Sequence, residues 1–199
     1  MLIYSHQVTE TGTVPAEPVT LAYAKNHLRV DISDDDTLIG NLITAAREYA
    51  EIFCARSIVQ HTYRADLANF YDIMELPLGP VQVISSIKYY DTASPSVLQT
   101  LSTAVYALHK DCVYRNNGQS WPSVGTGRPD AVQITYKTGY SDLASPEDTV
   151  ANVPLALGDR ALLLLVGDYY ENREGQSGSR QLVENPAVMT LLNTWRQYR

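Results

Sequence analysis

Ser33-Asp34-Asp35-Asp36-Thr37-Leu38-Ile39-Gly40-Asn41-Leu42-Ile43-Thr44-Ala45-Ala46-Arg47-Glu48-Tyr49-Ala50-Glu51-Ile52-Phe53-Cys54-Ala55 is the stretch on which the fold turns. From Leu38 its apolar residues Ile39, Leu42, Ile43, Ala46, Tyr49, Ala50 and Phe53 recur at steps of three and four. That spacing places them on one side of an α-helix, as a broad stripe that needs a core to cover it. Ser33 is the expected cap, with Asp34, Asp35 and Asp36 in a first turn where negative charge complements the helix dipole. The spacing predicts a helix over 33–55.

Upstream, Thr20 caps a shorter predicted helix over 20–28, with Leu21, Ala24, Lys25 and Leu28 at helical spacing. Residues 1–18 carry Gly12, Pro15 and Pro18 and show no helical period, so they read as an extended arm without regular structure. Downstream, residues 57–140 change character to β-branched and Tyr-rich segments separated by Pro, Gly, Asn and Asp. Antiparallel strands are expected near Val59–Ala65, Ile73–Leu76, Val81–Tyr90, Ala104–Leu108, Cys112–Tyr114 and Ala131–Tyr136. Asn116-Asn117-Gly118 is a turn signal, and Ser120–Asp130, with Trp121-Pro122, Gly125, Gly127 and Pro129, reads as an exposed loop.

A second loop is expected around Ser145–Asp148, after which Pro154 opens a helix over 154–172. Leu162 to Leu165 leave that helix no polar face, so it should be buried on all sides with the first two helices packed around it. Gly175-Gln176-Ser177-Gly178-Ser179 reads as a flexible linker. A last helix starts at Asn185-Pro186 and runs through Val188, Leu191, Leu192 and Trp195 to Arg199. The fold class is thus α+β: a small helical bundle with an antiparallel β insertion between its second and third helices, plus a C-terminal tail helix. Three segments follow, an arm over 1–18, a main domain over 19–174, and linker with terminal helix over 175–199.

The 199 residues suffice for a real core, since a chain of this size buries roughly 70% of its unfolded surface. No apolar run approaches the ~20 residues that cross a bilayer, and Met1–His6 lack the pattern of a secretory signal. A soluble protein made and kept in a cytoplasm is expected, with Cys54 and Cys112 as reduced thiols. A net charge of -7 argues against gripping nucleic acid by its phosphates. The 14 Tyr against 2 Phe suit surfaces where a ring packs while its hydroxyl stays wet, such as subunit interfaces, although strand preference explains them equally.

No phosphate-binding glycine loop, His-Glu-x-x-His or Gly-x-Ser-x-Gly pattern is present. His109 and Cys112 are metal-type ligands three apart, but no second His/Cys cluster completes a site. Asp31, Asp34, Asp35 and Asp36 are accounted for as cap and dipole partners. Glu171, Arg173 and Glu174 read as a surface ion network. No catalytic residue, metal or cofactor is assigned. The terminal helix has the build of a docking peptide, with Arg196 and Arg199 beside its apolar positions, yet the same stripe serves a groove on its own domain.

Val19-Thr-Leu-Ala-Tyr-Ala-Lys-Asn-His-Leu-Arg-Val-Asp31, Asp34-Asp-Asp-Thr-Leu-Ile39, Ala45-Ala-Arg-Glu-Tyr-Ala-Glu51 and Tyr169-Tyr-Glu-Asn-Arg-Glu174 occur in an order that resembles the tailed-phage head-tail connector (adaptor) proteins of the HK97 connector type. The likeness spans about residues 19–174, in the longer form with a β insertion, also found in prophages and gene transfer agents. It implies a non-enzymatic subunit of a ring, twelvefold in the usual case, below the portal in the virion neck. Such a ring extends the DNA channel, lets DNA pass without specific binding, and carries a downstream neck, stopper or tail-terminator protein. Under this reading Pro186, Val188, Leu191, Leu192, Trp195, Arg196 and Arg199 bind the portal protein, and a chain without 185–199 stays folded. The alternatives are a tail-completion or other neck protein of the same particle, or a small cytoplasmic metal-binding enzyme using His109 and Cys112.

Overall fold

A computed structural model describes residues 7–10, 17–140, 155–172 and 185–197. The elements run β1 (Gln7–Glu10), α1 (Leu21–Leu28), α2 (Asp36–Cys54), β2 (His61–Leu67), β3 (Ile73–Glu75), β4 (Val81–Tyr90), β5 (Leu98–Thr100), β6 (Tyr106–His109), β7 (Cys112–Arg115), β8 (Val132–Thr138), α3 (Leu155–Glu171) and α4 (Pro186–Trp195). The fold is α+β. It divides into a helical unit, Ala16–Val59 with Tyr140–Arg199, and a β unit, Met1–Pro15 with Gln60–Gly139. Pro154, the loop expected near 145–148 and the linker at 175–179 lie outside the described residues.

In the helical unit, the Thr20 side chain accepts the Tyr23 N–H and caps α1 as expected. α1 ends on Arg29 in the left-handed region, φ 57°, whose N–H turns back to the last carbonyls. The start of α2 needs correction. It begins at Asp36, its N-cap is Asp35, and no side chain caps it. Ser33 instead supplies a carbonyl to the Asp36 N–H in the preceding turn. The aspartates are drawn to tertiary partners: the Tyr170 hydroxyl donates to Asp35, and Lys25 pairs with Asp36. Only Asp36 stands in the first turn.

The stripe of α2 buries Ile39, Ile43, Ala46, Ala50 and Cys54 against α3. In α3, Ala161, Leu162, Leu163, Leu165 and Val166 are buried and Leu164 is half-buried, as a helix without a polar face requires. α1 and α4 also pack on α3. Inside this stripe sits a charge, because Arg47 is 3% exposed. Its Nε and Nη1 donate to Glu17 and Glu51 at 2.8 and 2.7 Å. Burial opposes the guanidinium charge, but the hydrogen bond to Glu17 and the fields of Glu51 and Glu17 overcome it and raise the pKa. Glu51 also accepts the Ile58 and Val59 N–H groups at 2.6 and 3.2 Å, which fixes the exit of the chain from α2.

The β unit holds an antiparallel five-stranded sheet, β1-β2-β8-β4-β5, and an antiparallel three-stranded sheet, β3-β7-β6. Leu67, Ile87, Val132, Ile134 and Tyr136 from the larger sheet meet Met74, Tyr106 and Val113 from the smaller in one core. Tyr136 is fully buried, and its hydroxyl donates to the Pro77 carbonyl at 3.1 Å. The expected β4 stands at its stated bounds, while β2, β6 and β8 begin one or two residues later than expected.

Three expectations change here. The arm does contain regular structure, since Gln7–Glu10 pairs with Tyr63–Asp66 as an edge strand. Four residues are too few to give a strand signal in the sequence; the strand is held by backbone pairing with β2 and by the Glu10 carboxylate on the His61 ring at 2.7 Å. β5, exposed along its length, was also unforeseen. The 120–130 loop is packed in part: Trp121 stacks on Phe70 at 4.9 Å and Val124 is buried, while Ser120, Ser123, Thr126, Gly127 and Pro129 are exposed as expected. Gly125 passes so close to the backbone of Asp91 that a Cβ there would lie 3.0 Å from its carbonyl oxygen. The Asn116–Gly118 turn forms as expected, with Gly118 at φ 76°.

The Arg47 cluster yields a contrast between neighbouring acids. Glu51→Ala leaves a buried guanidinium short of a partner and two N–H groups without their acceptor, so a loss of about 3 kcal/mol is expected. Glu48, 3.6 Å from Arg47 and largely exposed, should cost no more than about 0.5 kcal/mol as Ala. Urea denaturation of both variants checks this, and equal losses would contradict it.

Candidate functional site

Asn185 and Pro186 start α4 in the way their chemistry suggests. The Asn185 side chain accepts the Ala187 N–H at 3.1 Å, and Pro186 occupies a first-turn position where no donor is needed. The helical repeat then brings Val188, Leu191, Leu192 and Trp195 to one side. That side packs into the core formed with α2 and α3, with Val188 and Leu192 buried and Leu191 and Trp195 partly buried.

Polar contacts fix both ends of the helix. The Asn185 side-chain amide donates to Asp168 at 3.0 Å, and the Gln197 N–H donates to the Cys54 carbonyl at 3.0 Å. Between them the Cys54 thiol donates to the Leu192 carbonyl at 3.5 Å. Trp195 stacks on Tyr140 with ring centres 6.0 Å apart, and the Arg196 guanidinium lies 5.0 Å from the centre of the Phe53 ring. Pro186 and Arg196 remain exposed, whereas Arg199 lies outside the described residues.

In the single chain, therefore, α4 occupies a groove on its own unit. Val188 and Leu192 share apolar core with α2 and α3, so removal of 185–199 would uncover that core and cost stability.

The other candidate residues fall apart spatially. His109 ends β6 and Cys112 begins β7, and the two are register partners across the Lys110-Asp111 turn, with Lys110 at φ 54°. Their spacing is that of a tight hairpin. The Asp111 carboxylate between them accepts the Val81 N–H at 2.8 Å. Among the described residues, no group of three or more His, Cys, Asp or Glu could hold a metal ion. Asp31 and Asp34 are exposed, Glu171 is exposed at the end of α3, and Arg173 and Glu174 lie outside the described residues.

Two features escaped the sequence reading. Arg47 is buried where a charge stands within the apolar stripe, and its signal was Glu51 four residues on, the spacing of a helical ion pair. Ile52, off that stripe, is 81% exposed on α2, and Ile32 and Tyr23 are also exposed. Single exposed apolar groups are ordinary on a folded chain.

A model of the phage gp6-like head-tail connector protein family matches residues 18–103. No curated protein is matched. Among solved structures, a chain in the neck of an empty GTA particle computed with C6 symmetry is similar at TM-score 0.71 and 23% identity, over 97% of this chain and 96% of that one. A chain in the virion of a native gene transfer agent (GTA) particle gives 0.74 and 23%, over 96% of each. One in the neck of a native GTA particle computed with C12 symmetry gives 0.72 and 22%, over 97% and 96%.

Burial pushes the Cys54 thiol up to about 11, above the ordinary 9.0. Because the folded value is raised, the stability from keeping this thiol neutral is complete below pH 9 and is lost as pH rises toward 11. Cys54→Ala should flatten the fall in unfolding midpoint across that window, with the difference from wild type isolating this group from tyrosines and lysines. Leu192→Ala should cost about 3 kcal/mol, and Arg196→Ala less than about 1 kcal/mol, in thermal or urea unfolding.

The head-tail connector resemblance read from the sequence segments is thus found by the family model over residues 18–103, and the fold is shared with chains of gene transfer agent particles.

Proposed function

We propose that this chain is a structural head-to-tail connector (adaptor) subunit. It forms a homo-oligomeric ring of twelve below the portal, extends the DNA channel, and offers the attachment platform for a neck, stopper or tail-terminator protein. The observation that carries this reading is the likeness in fold, over 97% of the chain, to a chain in a GTA neck computed with C12 symmetry. The family match over residues 18–103 supports it independently.

The chemistry of the chain is consistent with such a role. Asp35, Asp36 and Asp111 are engaged in structural contacts with Tyr170, Lys25 and the Val81 N–H, and the reading involves no enzyme activity and no cofactor. Net charge of -7 suits a wall past which DNA moves, because phosphate adhesion depends on lysine and arginine contacts. The ring sits in the virion neck and assembles in the cytoplasm of the host bacterium.

We assign portal attachment to the terminal segment, Pro186, Val188, Leu191, Leu192, Trp195, Arg196 and Arg199. With α4 seated in its groove, the contact is made through its outward side, where Pro186 and Arg196 are exposed. Val188 and Leu192 act by holding that side in place.

Purified subunit at micromolar concentration should be mostly monomer by light scattering, with the ring forming on the portal. Particles made without this chain should have filled heads but no tails and should leak DNA, and imaging of complete particles should place the ring between portal and tail. Tailed, infectious or transfer-competent particles in its absence would refute the reading.

A further inference from the structure

The docking site of α4 lies beside the point where its own connection begins. Asn185 contacts Asp168, and Asp168 also accepts the backbone N–H of Asn172, the last described residue after α3. The two ends of the connection are therefore about one helical turn apart. Antiparallel helices are joined by roughly 2–8 residues in most bundles. Here residues 173–184, twelve in all, separate Asn172 from Asn185. The chain is far longer than the placement of α4 on its own unit demands.

Length decides where else α4 can reach. Twelve residues extend to roughly 40 Å. A unit the size of Ala16–Val59 with Tyr140–Arg199 has a radius of gyration of roughly 13 Å, hence a diameter of roughly 33 Å. The connection can thus span from one helical unit to the same groove on an adjoining copy. The groove itself recognises α4 by chemistry any copy supplies: apolar seats for Val188 and Leu192, the Asp168 carboxylate for Asn185, and the Cys54 carbonyl for the Gln197 N–H.

We propose that in the assembled ring α4 is exchanged between neighbours, so that the helix of one subunit fills the α2/α3 groove of the next. This inference rests on the ring reading above and names the interface that closes it. Exchange leaves every contact of the helix intact while turning an internal packing into an intersubunit one, the usual low-cost route to a swapped oligomer. In the isolated monomer the high effective concentration of the tethered helix keeps the groove self-filled. A head-to-tail exchange of this kind is heterologous, and a ring results where the rotation from one copy to the next closes.

The test uses the full chain with Asp168→Cys and Asn185→Cys in a Cys112→Ser background, treated with a short bismaleimide and run under denaturing, reducing conditions. At nanomolar concentration the monomer should give internally bridged single chains, which calibrates the reagent. In purified particles the expected product is a ladder of covalent dimers and higher multimers. Internally bridged single chains from particles that contain the subunit would overturn the exchange and leave the connector reading standing. Absence of the wild-type chain from purified particles would overturn the connector reading and the exchange with it.

Discussion

A guanidinium placed in the apolar stripe of a helix has to be neutralised where it sits, and the helical unit is organised around that demand at Arg47. Leaving the charge alone in the core would cost several kcal/mol, so two carboxylates converge on it from different parts of the chain. Glu17 arrives from the segment before α1 and also accepts the Thr44 hydroxyl, which ties that segment to the middle of α2. Glu51 lies one turn along α2 and holds the Ile58 and Val59 N–H groups with its other oxygen. One buried charge thus sets both where the chain enters the bundle and where it leaves for the sheets.

The β unit solves a different problem. Its strands are short and several have polar outer faces, so the core depends on two sheets closing over a few large residues, chiefly Tyr136, Met74, Ile87 and Ile134. Loops are pressed into service to complete it. Trp121 covers Phe70, and Asp91 draws its own turn together by accepting the Ala93 and Val97 N–H groups. The hydrogen bonds to Val97 and Gln99 also hold the Asp91 carboxyl below its ordinary pKa.

The helical unit has to bury its apolar central helix and also hold α4 in one place. The helical unit meets the first need by covering its central helix on three sides, with α1, α2 and α4. Ile52 and the outer side of α4 stay exposed. The polar ends of the α4 groove favour one registration of the helix, because Asn185 and Gln197 find their partners only when Leu192 is seated. Specificity of docking therefore comes from hydrogen bonds at the ends, and the hold comes from apolar burial between them.

By itself the sequence determined the existence and type of the long periodic elements. α2 followed from its stripe, α3 from a leucine run without a polar side, α4 from Asn185-Pro186, and the central β region from its composition. These are local signals, and each is strong because it repeats over several turns or strands. The ordered segments that resemble head-tail connectors were legible for the same reason. What only tertiary structure decided were the non-local matters. Gln7–Glu10 is a strand because β2 offers it a free edge, and Asp35, at the N-cap, makes no capping hydrogen bond while Tyr170 reaches it and Lys25 reaches Asp36. Arg47 is buried because Glu17, thirty residues away, comes to meet it. Likewise the seat of α4 was undecidable from its stripe, since an apolar face fits any complementary groove. Asp168 and Cys54, distant in the chain, are placed by folding at the two ends of the apolar seat that α4 fills.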